Sequence, residues 1–127
     1  MIPKYRAWDR ETKSMNGMAE IYRNRKQEIE LHPRDENIIL MQSTGLRDKN
    51  GKEIFEGDIL SIETDEENVK VEVSWDSKHA LFAFESKKYN EKEPLAELFE
   101  DNSYPFKIIG NIWEDGELLD VENTEEN

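Results

Sequence analysis

Residues Leu40–Ile62 read LMQSTGLRDKNGKEIFEGDILSI, and this block decides the fold. Asn50-Gly51 inside it is a hairpin signal: a two-residue type I′ turn needs positive φ at both central residues, which these two types tolerate best. Seven residues on, Glu56-Gly57-Asp58 leads into Ile59-Leu60-Ser61-Ile62. Glycine permits a backbone corner that other residues resist, so the segment reads as a tight corner feeding a strand of a small barrel.

Working outward, the pattern stays that of short strands and turns. Lys4–Trp8 alternates as a first strand, Asp9–Lys13 is a polar connection, and Asn16-Gly17 offers a second turn. Between Ala19 and Leu31 the periodicity is ambiguous, and His32-Pro33 ends that segment because proline removes a donor and restricts its predecessor. Asn37–Gln42 is apolar on both faces, as a buried strand or an oligomer contact would be. Val69, Val71, Val73 and Trp75 alternate cleanly against Lys70, Glu72 and Ser74. Asp76-Ser77-Lys78 then turns the chain into Ala80–Phe84, again apolar on both faces. Glu91–Asp101 is the one helix candidate, with Pro94 in its first turn and Leu95, Leu98 and Phe99 as an apolar stripe. Phe106–Trp113 closes the series as a strand with a bulge at Gly110. Trp8, Trp75 and Trp113 all fall on these strands and read as core. Five or more short strands with one short helix make a mainly β small barrel.

Composition narrows the classes. The 127 residues carry a net charge of −13, with 35% hydrophobic and 37% charged residues, which fits one domain with a modest core. There is no cysteine, which excludes disulfides and thiolate chemistry. No apolar run has membrane-spanning length, and MIPKYRAWDR lacks a signal-peptide core, so a soluble cytoplasmic protein is expected. Charge is unevenly placed. Residues 1–34 hold eight Lys/Arg against five acids, net +3, leaving nine against twenty-five, net −16, for the rest. An acidic body repels nucleic acid at long range. Glu114–Asn127 holds seven acids and no basic residue, so 1–119 reads as the folded domain and 120–127 as an acidic mobile tail.

No catalytic set emerges. His32 and His79 sit at an element boundary and in a hairpin turn, without a nucleophile nearby, and no glycine pattern matches a phosphate loop. Asp48-Lys49-Asn50-Gly51 resembles a calcium loop only briefly, because the fifth, sixth and twelfth positions are Lys52, Glu53 and Ile59. No metal or cofactor is therefore expected. Asp58 reads as a carboxylate that pins its corner by accepting backbone N–H bonds, with a site role beside Glu56 as the alternative. Tyr22, Arg23, Arg25 and Lys26 are the one pairing of an aromatic with cations, a candidate binding patch.

Trp8 and Asp9 near the start, Gly45, Leu46, Asp48, Asn50, Gly51, Gly57 and Asp58 in the opening block, and Gly110 and Asn111 near the end form a set. Together they resemble the YopX-like family of bacteriophage and prophage proteins. The resemblance implies an SH3-like barrel core with additional N-terminal strands and transfers no catalytic residue. The expected function is a non-enzymatic phage accessory protein that binds a protein partner or assembles with itself. The alternatives are an acidic DNA mimic that inhibits a host nucleic-acid-binding protein, and nucleic-acid binding through the basic N-terminal segment.

Overall fold

The computed structural model describes residues 4–16, 37–100 and 104–120. The candidate patch Tyr22, Arg23, Arg25 and Lys26, the turn residue Gly17 and the segment 121–127 lie outside the described residues. The chain forms two compact units, residues 1–43 and 44–127, and the fold is mainly β, with two antiparallel sheets and one short α-helix among the described residues.

In the first unit, β1 (Tyr5–Asp9) pairs antiparallel with both β2 (Ser14–Asn16) and β3 (Ile38–Arg47). Ala7, Trp8 and Met41 are its buried apolar residues. The stretch read as a plain connection and turn instead supplies β2. Asp9 Oδ1 accepts the N–H groups of Glu11 (2.9 Å) and Thr12 (3.2 Å), and Lys13 takes a positive φ of 55°, which folds the chain back within four residues. β3 continues past Ser43 into the second unit, where it neighbours β4 (Glu53–Phe55).

The second unit holds the five-stranded sheet, in the order β8-β7-β6-β5-β9, curled into a half-barrel. Its strands are β5 (Asp58–Glu63), β6 (Asn68–Asp76), β7 (Leu81–Ser86), β8 (Glu91–Pro94) and β9 (Phe106–Asn111). Helix α1 (Glu97–Glu100) lies between β8 and β9, and a 3-10 turn, η1 (Gly116–Leu119), follows β9. The core is Ile54, Leu60, Ile62, Val71, Val73, Leu95 and Phe106, with Phe99 set edge-on to Phe106 at 5.0 Å. Ile59 and Leu60 are both fully buried, so β5 is covered on both faces, as a central strand should be.

Two sequence expectations fail in instructive ways. The helix does not begin at Glu91: Glu91–Pro94 is the edge strand β8, paired with β7, and among the described residues of that stretch only Glu97–Glu100 is helical, Asp101 lying outside them. Leu95 is fully buried, its N–H donating to Phe82 O at 2.9 Å, so ladder pairing to β7 outcompetes the weak propensity of a short helix. The register also turns the backbone of Lys92 and Pro94 outward, and proline has no N–H. That blunts the edge against strand addition. The tip at Asn50-Gly51 is not a two-residue type I′ turn. Gly51 has φ +81°, but Asn50 is not at positive φ. Asp48 N–H donates to Lys52 O (2.9 Å) and Gly51 N–H to Asp48 O (2.9 Å), which is a three-residue loop with glycine at its left-handed position.

Candidate functional site

The motif residues of the second unit gather around β9. Asp48, only 6% exposed, uses both carboxylate oxygens. Oδ1 accepts the N–H groups of Asn50 and Lys52, each at 2.9 Å, and Oδ2 accepts that of Ile108 at 2.8 Å, sixty residues away. Lys49 N–H reaches Phe106 O at 3.1 Å, so the hairpin tip seals the outer edge of β9. Burial alone would raise the Asp48 carboxyl, but these three N–H groups and the nearby Lys52 charge outweigh it and hold it below its ordinary value.

At the other end of β9, Gly57 has φ +90°, donates its N–H to Val73 O (2.8 Å) and accepts that of Ile112 (2.9 Å). Asp58, 2% exposed, accepts the Phe55 N–H at 2.7 Å and pairs in register with Asn111. Asn111 Oδ1 accepts the N–H groups of Trp113 and Glu114, each at 2.9 Å, and caps the turn that ends the strand. The β5–β9 register shifts between Ile59 and Leu60, with Ile109 as the extra residue beside Gly110. Gly45 (φ +82°) is exposed on β3, and Leu46 packs against the core. Asp48 and Asp58 thus both accept backbone N–H groups. Among the described residues, no cluster of three or more His, Asp or Glu is placed to hold a metal ion.

Two surfaces remain that sequence reasoning missed. One is a groove of about 290 Å³ along β7 and β8, lined by Glu72, Glu85, Lys87, Asn90, Lys92 and Leu119. Past Lys87 and Leu119 it meets a smaller hollow of about 90 Å³ that includes Glu67, Lys70 and Lys88. Glu67 binds Lys88 at 2.7 Å and accepts the Tyr89 hydroxyl, closing the β5–β6 loop onto the β7–β8 turn. The Lys88 bond first, then Tyr89, hold the Glu67 carboxyl below its ordinary value. Asp76, beyond the groove, is held down to about 2, chiefly by its bond to the His79 ring at 2.9 Å.

The other surface is aromatic. Trp75, read from the alternation as core, is 43% exposed and sits edge-on to Phe82 at 5.0 Å. It lies in the inward-facing register with Val71 and Val73, but at the end of β6 where the core has run out. Trp113 lies just past β9 in the capping turn and is half-buried. No sequence signal separates Trp75 from Val73, because exposure depends on where the sheet stops.

A family model described as "YopX protein" matches residues 4–120. The chain belongs to the YopX family. Among solved structures, protein EF1440 from Enterococcus faecalis is similar over 94% of this chain and 99% of its own, with 25% identity and a TM-score of 0.62. The protein yopX from Bacillus subtilis is similar over 94% and 100%, with 19% identity and a TM-score of 0.61, a likeness of fold alone. No curated protein matches the chain. Among the described residues of this YopX-family chain, no helix is long and apolar enough to cross a membrane.

Proposed function

We propose that this YopX-family chain is a non-catalytic binding module, an accessory protein of phage or prophage origin that docks a protein partner through the aromatic end of the β6–β7 hairpin. The observation that carries the reading is Trp75, 43% exposed on a rigid strand and buttressed by Phe82. Tryptophan is enriched among residues that dominate binding energy, and a strand-mounted ring loses little entropy on docking. The doubly apolar strands support the same reading, since Ile38, Ile39 and Leu40 on β3 and Leu81 and Phe82 on β7 are only half-buried. The motif carboxylates Asp48 and Asp58 accept backbone N–H bonds, which supports a structural role for them.

Trp75→Ala is expected to destabilise the fold by about 1–3 kcal/mol without unfolding it, because more than half of the ring is covered and its contact with Phe82 is lost. The same variant is expected to abolish retention of the partner in a tagged pull-down from host lysate at high salt, and to dissociate any self-assembly seen by analytical ultracentrifugation. A wild-type complex that W75A retains in full would overturn the docking surface. Capture of a basic DNA-binding protein that salt releases and W75A does not affect would replace it with the acidic-mimic reading. The structure offers that alternative little support, because lysines interleave with the carboxylates, as in the Lys49–Glu63 and Lys88–Glu67 pairs.

A further inference from the structure

Glu72 on β6 and Glu85 on β7 stand directly opposite each other in the ladder. Both point to the side of the sheet away from Val71, Val73 and Phe84, and both line the larger groove. Directly opposed like charges disfavour a strand pair, and the cations around this one offset it only in part. Lys92 of β8 faces Glu85 in register, but its ammonium lies 3.6 Å from Asp76. Lys87, just beyond β7, lines the groove and pulls weakly on Glu72. Lys70, two residues before Glu72 on β6, is exposed and lines the smaller hollow. Glu91 of β8 lines the same groove, and Asp120, just past η1, lies in the hollow, so both add negative charge.

We propose that ionisation of Glu72 against the facing Glu85 loosens the β6–β7 ladder, and that proton uptake by Glu72 tightens it, a pH-sensitive switch built into this strand pair. Burial first, and the facing Glu85 second, push the Glu72 carboxyl above its ordinary value. A carboxyl whose pKa is raised by folding stabilises the fold when protonated. That contribution is full below the ordinary value and is lost as pH rises through the raised one.

The test is thermal unfolding of the full chain between about pH 4 and pH 8, combined with carboxyl carbon-13 titration of Glu72 by NMR. The wild type is expected to titrate Glu72 above the ordinary glutamate range and to lose melting temperature as that proton leaves. Glu72→Gln is expected to lose this slope and to melt higher than wild type at neutral pH. Glu85→Gln is expected to bring the Glu72 midpoint down, whereas Glu93→Gln, an equal charge loss on exposed β8, is expected to leave it in place. A Glu72 midpoint that E85Q does not move, or an E72Q slope equal to the wild type's, would overturn the switch.

Discussion

Asp48→Ala is expected to destabilise the protein by about 3–5 kcal/mol and lower its melting temperature by roughly 10–20 °C. The loss has two parts. Three charge-assisted bonds disappear, and the Ile108 N–H is left on a half-buried strand without its acceptor. Water can reach Asn50 and Lys52, which are exposed, so their share is the smaller. Asp48→Asn separates the parts, since one amide oxygen cannot serve all three donors and the amide nitrogen accepts none. The pH dependence has a definite sign. A carboxyl whose pKa folding lowers from 3.8 stabilises the fold above that value and loses the contribution as pH falls through the depressed one. The gap between wild type and D48N, followed by urea unfolding, should therefore be full at neutral pH and close under acid. A gap constant down to about pH 2 would show that the charge on Asp48 contributes nothing.

Gly110→Ala is expected to cost about 1–3 kcal/mol through crowding. Its backbone is in an ordinary region, so conformational freedom is not the reason for glycine here. A Cβ at this position would lie 2.5 Å from Asp115 Oδ2 and 2.9 Å from its Cβ, and Asp115 is fixed by accepting the Asn111 N–H at 3.1 Å. A double-mutant cycle tests the cause. In the Asp115→Gly background the added cost of G110A should fall below about 1 kcal/mol, because the three nearest clashing atoms, the Cβ included, are gone. If the two costs simply add, the crowding account is wrong. The effect should reach η1, whose Leu118 N–H donates to Asp115 O at 2.9 Å.

How much was legible in the chain follows from which interactions are local. The alternation Val69–Trp75 and the corner at Gly57 gave β6 and β5 nearly to the residue, because the period of two and positive φ are properties of a few neighbouring residues. Asp58 likewise meets Phe55, three positions away. Glu91–Pro94 was misread because its pairing with β7 is tertiary, whereas its local pattern is helical. Asp48 stood out in the motif, but its bond to Ile108 spans sixty residues and leaves no local trace. The groove was invisible for the same reason, since Glu72 and Glu85 become neighbours only through the register of β6 on β7.

The sequence alone determined that this is a mainly β chain with the turn and corner chemistry of the YopX family. Those features are set by side-chain alternation and by backbone preferences within a few residues. Only the tertiary structure decided that Asp48 seals β9, that Glu72 faces Glu85, and that Trp75 stands at the rim of the sheet rather than inside it. Each of these depends on register and on where a strand ends relative to its neighbours, which burial across the whole core fixes.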